Sequence, residues 1–238
     1  MSCVPDGSIV YAIGDVHGRA DLLDSLLALI EDDAEQASAS RRLVVFLGDY
    51  IDRGAHSREV LDRLVAGPAP GFEWKTLRGN HEDFLLRFLQ GQAVGPTWLI
   101  NGGLETLGSY LGETPEMPAT LGETEALRLA LEAALPPEHK AFLEGLAVSH
   151  QEGDYFFAHA GVRPGIPLER QNPADLMWIR GDFLESKADF GKVVVHGHTI
   201  VPRPETRTNR IGIDTGAYAS GRLTALALEG ERQRFLQT

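Results

Sequence analysis

Cysteine is nearly absent from this chain of 238 residues, and Cys3 is its single thiol. One cysteine forbids an internal disulfide and any cysteine-rich zinc site. It stands near the start with no basic neighbour to lower its pKa, which makes it a poor nucleophile. Long apolar runs are missing too, since none approaches the roughly 20 residues that cross a bilayer. The first seven residues have neither the basic region nor the apolar stretch of a secretion signal, so a cytoplasmic protein with no membrane partner is expected. Positive charge is also short. Against 34 acidic residues stand 22 basic ones, a net charge of −12, which disfavours sequence-independent binding to nucleic acid. What remains is 43% hydrophobic and 24% charged, ordinary for a soluble globular fold, and a single domain over 1–238 is expected.

Apolar runs in this chain end repeatedly in glycine followed by polar residues. Residues 8–13 read as a strand that turns at Gly14, and Asp15-Val16-His17-Gly18 follows. In an extended segment positions i and i+2 point the same way, so Asp15 and His17 form either a polar turn or two ligands of one ion. Oxygen plus imidazole suits manganese, iron or zinc rather than calcium. Residues 19–30 read as an amphipathic helix, with Leu22, Leu23, Leu26, Leu27 and Ile30 on one face, and 31–42 as a loop. A second strand over 43–47 ends at Gly48 and places Asp49 at its carboxyl end, where open α/β sheets bind ligands. Asp52 and Arg53 follow in the same loop. Such crowding reads as a charged surface turn or as a site where a cation separates the acids. A helix over 58–65 and a strand over 74–77 then lead to Arg78-Gly79-Asn80-His81-Glu82. The crossovers have the length of βαβ units, and three strands ending alike favour one shared sheet edge.

Between 84 and 150 no chemistry is evident. The segment reads as helices over 84–89, 123–134 and 136–146 around a loop at 112–121, with His139 and His150 as surface or loop residues. A strand over 155–158 delivers His159, and one over 192–195 delivers His196-Gly197-His198. Residues 210–213 and 223–228 read as late strands that close a second sheet.

Taken together, Gly14-Asp15-x-His17-Gly18, Gly48-Asp49-x-x-Asp52-Arg53-Gly54 and Gly79-Asn80-His81-Glu82 resemble the three motifs of the phosphoprotein phosphatase family of calcineurin-like metallophosphoesterases. Trp98-Leu99-Ile100-Asn101-Gly102-Gly103 resembles its bacterial and phage lambda phosphatase branch. Later pieces fit as well: His159-Ala160-Gly161, Trp178-x-Arg180, Gly197-His198-Thr199 and Asp214-Thr215-Gly216-Ala217. The resemblance implies an α/β fold of two packed mixed β-sheets flanked by helices, with a helical elaboration at about 91–150.

It also implies two divalent metal ions, manganese first, with iron or zinc as alternatives. Asp15, His17 and Asp49 would hold one. Asp49, Asn80, His159 and His198 would hold the other, with Asp49 bridging, and a hydroxide between the ions would attack phosphorus directly. Arg53, Arg180 and Asn80 would bind the phosphate, with Arg78 a further candidate. His81 would protonate the leaving oxygen, oriented by Asp52. Related phosphodiesterases carry Gly-His-x-His, whereas Ile200 stands at the second of those histidine positions here. That departure points to the protein phosphatase-like branch, with His198 the ligand and His196 at most orienting a neighbour.

The expected function is a phosphomonoesterase acting on phosphoserine and phosphothreonine, its partner a phosphorylated protein or a small phosphorylated substrate. The alternative is a symmetrical dinucleoside polyphosphate hydrolase such as one cleaving diadenosine tetraphosphate. Asp52 beside Arg53, and Glu82 closing its motif, resemble protein phosphatases. His159-Ala160-Gly161-Val162 resembles the dinucleotide hydrolases at least as much. A non-catalytic phosphate binder is disfavoured, because every expected ligand is present.

Overall fold

The computed structural model describes residues 2–238. The chain begins β1 (Ser8–Ile13), α1 (Ala20–Gln36), β2 (Arg41–Phe46), α2 (Ser57–Ala66), β3 (Phe72–Thr76) and α3 (Asn80–Leu89). Short helix α4 (Gly95–Trp98) runs through a π-helical turn, Leu99–Gly103, into α5 (Leu104–Leu111), followed by α6 (Leu121–Ala134) and α7 (Pro137–Glu144). Next come β4 (Ser149–Glu152), β5 (Tyr155–Ala158), α8 (Pro173–Trp178), α9 (Gly181–Leu184) and β6 (Val193–His196). The chain ends with β7 (Glu205–Thr206), β8 (Arg210–Gly212), α10 (Ala217–Ser220), β9 (Thr224–Glu229) and β10 (Arg232–Gln237).

Two five-stranded mixed sheets result, in the orders β10-β9-β1-β2-β3 and β4-β5-β6-β8-β7. Strands β1, β2 and β3 are parallel to one another, as are β5, β6 and β8. Strand alternation explains the layering. Ile9, Tyr11 and Ile13 of β1 face helices α1 and α2, packing with Leu23, Leu26, Val60 and Leu61. Val10 and Ala12 face the other way and pack with Phe157, Val195 and Ile211 of the second sheet. That sheet turns Phe156 and Val194 outward against Leu176, Ile179 and Phe183. Strands covered on both faces become continuous apolar runs, which is why β1 is buried throughout.

Three local readings need correction. Residues 223–228 were expected in the second sheet, but β9 pairs antiparallel with β1 in the first. Its length is buried except at the last residue, and a site beside β1 supplies cover on both faces. Helix α1 continues to Gln36, beyond the expected stop at Ile30. Buried Ala34 extends the Leu23-Leu27-Ile30 stripe by one turn, and Asp33 accepts hydrogen bonds from Tyr11 (2.5 Å) and Arg234. His139 is not a surface residue. Its Nδ1 lies 2.7 Å from the Tyr110 hydroxyl and its Nε2 2.9 Å from Asp62, tying α7 and α5 to α2. Sequence periodicity cannot reveal a histidine satisfied by two distant helices.

Candidate active site

The parallel strands of both sheets deliver the candidate residues from their carboxyl ends: Asp15 and His17 after β1, Asp49 after β2, Asn80 and His81 after β3. His159 follows β5, His198 follows β6 and Asp214 follows β8. The loops are laced together by backbone hydrogen bonds. Val16 and His17 both donate to the Asp49 carbonyl (3.0 and 2.9 Å), and Gly197 donates to the His159 carbonyl (2.8 Å).

Backbone strain marks the same place. Among the described residues, the non-glycine positions with positive φ are His17, Asp49, Asp52, Arg53 and His198. Each is a candidate site residue, and each such conformation costs about 1–3 kcal/mol and persists only where its surroundings enforce it. One enforcing contact is Gly79, where an added Cβ would overlap the Asp49 carboxylate. A side chain there would push away either helix α3 or Asp49.

Asp49 lies at the centre. Its Oδ1 accepts the His81 backbone N–H at 3.1 Å, at the amino end of α3 where the helix dipole favours negative charge. Its Oδ2 lies 3.6 Å from His17 Nε2, 3.8 Å from His81 Nε2 and 3.4 Å from His159 Nε2. Two groups capable of holding a metal ion therefore share it: His17, Asp49 and His81, and Asp49, His159 and His198. The Asn80 side-chain oxygen Oδ1 reaches the second group, 2.9 Å from His159 Nε2. Asp15 accepts the His198 backbone N–H at 3.0 Å.

The donor set fits divalent cations. His17 and His159 direct Nδ1 to the carbonyls of Ile51 (2.8 Å) and Leu47 (3.0 Å). Each can donate that proton and leave its Nε2 lone pair facing Asp49. His198 Nδ1 faces His159 Nε2 at 3.2 Å, while buried His198 Nε2 has no partner among the described residues. Burial holds His17 down to about 3 and His198 to about 2, so both rings are neutral and free to ligate. Burial, together with the charges of Asp214 and Asp49, pushes Asp15 well above the usual carboxylate range. Carboxylates forced together in this way are relieved by a cation between them.

His81 is placed differently. Its Nδ1 lies 2.5 Å from Asp52 Oδ2, and its Nε2 turns toward Asp49 and Arg53. Burial disfavours its charged form, but Asp49 and Asp52 outweigh that and raise its pKa. The Arg53 guanidinium lies 3.1 Å from His17 Nε2 and 3.4 Å from His81 Nε2, above the cluster. Arg180 is exposed between α8 and α9, and its charge acts on His198 from outside. Arg78 does not fit its candidate role. It donates to the carbonyls of Leu143 and Glu144, at the end of α7 where orphan carbonyls await a donor. His196 is buried against Arg210 and Phe183 and does not face the cluster.

Three further residues build the site, and sequence reasoning missed their roles. Glu82 is fully buried and accepts the backbone N–H groups of Asp49, Tyr50 and Gly79 at 2.8–2.9 Å, pinning the Asp49 loop to α3. Trp98 donates its indole N–H to Asp52 Oδ2 at 2.9 Å, and Thr106 donates its hydroxyl to Asp52 Oδ1 at 2.6 Å. Both come from the segment that showed no chemistry in the sequence. The π-helical turn also packs on Arg53, whose N–H donates to the Gly102 carbonyl at 3.1 Å. The Trp98–Gly103 motif was the available signal, but its partner lies 46 residues away in sequence.

Comparison with known proteins agrees with this geometry. Residues 9–223 match the family model described as calcineurin-like phosphoesterase. The bis(5'-nucleosyl)-tetraphosphatase PrpE (asymmetrical) of Anoxybacillus flavithermus is 29% identical over 90% of this chain and 88% of its own. The protein of the same name from Halalkalibacterium halodurans is 30% identical, over 90% and 87%. Among solved structures, the cold-active protein-tyrosine phosphatase of a psychrophilic Shewanella superposes with a TM-score of 0.60 at 18% identity, covering 99% of this chain and 82% of that one. That last likeness speaks for the fold alone, since one fold hosts many substrates. With the family model matching most of its length, the chain belongs to the calcineurin-like phosphoesterase family.

Proposed function

We propose that this chain is a metal-dependent hydrolase of dinucleoside polyphosphates that cuts the phosphate bridge asymmetrically. The observation that carries the substrate class is the similarity to two tetraphosphatases of that name across nine-tenths of the chain. It favours the dinucleotide reading over phosphoserine and phosphothreonine in proteins, the first expectation from sequence. It also favours asymmetrical cleavage over the symmetrical kind. Adding water to one phosphoanhydride bond of diadenosine tetraphosphate gives either ATP and AMP or two ADP. Chromatography of the products after incubation with manganese is expected to show ATP and AMP in equal amounts. Two molecules of ADP would overturn the asymmetrical assignment, and no cleavage would overturn the dinucleotide reading.

Asp15, His17, Asp49, Asn80, His159 and His198 would hold the two ions, and their mixed oxygen and imidazole donors suit manganese. When bound, such a pair lowers the pKa of water and offsets charge on the phosphoryl oxygens. Arg53 presents a planar fork of donors above the cluster, matched to phosphate oxygens. Arg180, which has no ion-pair partner among the described residues, is free to meet the phosphate chain from the other side. As an imidazolium, favoured against burial by Asp49 and Asp52, His81 would donate from Nδ1 to Asp52 and pass the proton on Nε2 to the leaving oxygen. The short Asp52–His81 contact favours a second activity, on phosphomonoesters whose leaving group is a bare alkoxide.

Trp98 and Thr106 would act through Asp52 as positioning residues. Trp98→Phe and Thr106→Val are each expected to lower kcat on an alkyl phosphate by about 10–100-fold, the usual scale for partners that orient a functional group. On p-nitrophenyl phosphate, whose leaving group needs no proton, the loss should stay below about threefold. Equal losses on both substrates would mean that the two residues support the fold alone.

A further inference from the structure

Beyond Arg53 the catalytic cleft opens into a cavity of about 520 Å³, walled by Leu99, Ile100, Glu105, Met117 and Tyr218. Tyr218 joins it to the site: its ring centroid lies 5.5 Å from that of His17, and the Arg53 guanidinium carbon sits 4.9 Å above it. Two apolar side chains line the cavity in the open. Ile100 is 76% exposed and Met117 45% exposed, whereas neighbouring Leu99 is buried in the core. The turn that carries Ile100 has a structural task, holding Trp98 and Gly102 against Asp52 and Arg53, but that task does not require an isoleucine pointing into water. Exposed apolar groups beside a phosphate-matched guanidinium suit a ligand with a phosphate at one end and a flat apolar ring at the other. Glu105 adds an acceptor-only group, which pairs with the N–H groups on the edge of a purine.

We propose that this cavity takes the purine base of the nucleotide whose phosphate lies on Arg53. The inference rests on the dinucleotide reading, and it goes further in assigning the residues that would recognise the base. Bound there, the base would lie over Ile100 and Met117 with its amino edge toward Glu105. The phosphate chain would then enter the cleft past Tyr218. The second nucleoside would extend to the opposite side, past Arg180.

The test compares AMP with ribose 5-phosphate as inhibitors of p-nitrophenyl phosphate hydrolysis by the manganese-loaded protein. The two differ by the base, and the ratio of their inhibition constants cancels any general change in activity. In the unaltered protein AMP is expected to bind about tenfold more tightly, the scale of a modest apolar contact. In Ile100→Ser with Met117→Ser, both neutral and both at exposed positions, that ratio should fall to about one, and KM for diadenosine tetraphosphate should rise by a similar factor. A ratio near one in the unaltered protein, or one that survives the double substitution, would overturn the proposal while leaving dinucleotide cleavage intact. If diadenosine tetraphosphate is not cleaved but the AMP preference appears and is lost in the variant, the base site stands and the dinucleotide activity falls. A double variant impaired on a phosphopeptide but unchanged toward AMP would assign the cavity to a peptide side chain and overturn the base.

Discussion

Asp49→Asn is expected to lose most of its bound metal and to lower kcat by about 10³-fold or more, the scale of removing a principal electrostatic contact at a reacting group. The side chain hardly changes in size, so the effect isolates charge. Asp49 alone is shared by the two groups that could hold an ion, and its Oδ2 lies within 3.8 Å of three imidazole nitrogens. An amide oxygen is a far weaker donor than a carboxylate, so both ions should be affected together. Without metal, the variant should still unfold cooperatively but at a somewhat lower temperature, because burial opposes the Asp49 charge yet His159, His81 and His17 outweigh it and hold its carboxyl well below the usual range. Metal analysis and thermal unfolding on the same samples therefore separate a lost ligand from a lost fold. His196→Ala is the contrast. That ring packs against Phe183 and Arg210, so the variant should keep both ions. Full metal content and activity in Asp49→Asn would overturn the assigned centre. Metal loss in His196→Ala but not in His198→Ala would reverse the assignment of those two histidines.

The second large effect concerns the proton. His81→Asn is expected to lower kcat on an alkyl phosphate by about 10²–10⁴-fold, the usual contribution of a positioned general acid. On p-nitrophenyl phosphate and on diadenosine tetraphosphate the loss should stay within about tenfold, because a phenolate or a nucleotide phosphate leaves with little help. The geometry behind this is the Asp52–His81 contact of 2.5 Å, with His81 Nε2 facing the cluster. His81 also stands within reach of a metal group, and the substrate series separates the two roles. Equal losses on all three substrates, accompanied by lost metal, would make His81 a ligand and not the acid.

Some of this was legible in the chain. The strands ending at Ile13, near Phe46 and at Ala158 could be read because apolar runs stop at glycine or a polar residue, and those stops place Asp15, Asp49 and His159. Local rules apply there, since a residue's position after a strand depends only on its neighbours in sequence. The same rules failed for β9, which lies in the first sheet because the carboxyl-terminal strands return to β1 from more than 200 residues away. They failed for Arg78 as well, which sits inside a motif yet is drawn aside by the end of α7. His139 was misread for a similar reason, since nothing adjacent to it announces Tyr110 and Asp62.

The sequence by itself determined the kind of chemistry. Its spaced aspartates, asparagine and histidines specify a mixed oxygen and imidazole donor set, and its apolar runs place those donors just after strand ends. Only the tertiary structure decided how those donors are held. Glu82 pins the Asp49 loop through three backbone N–H groups, and Trp98 and Thr106 fix Asp52 from a helical segment with no chemistry of its own. Ligand types are local properties of residues and can be read in one dimension. Orientation is a property of contacts between distant segments, made when buried polar groups must find partners, and it exists only once the chain has folded.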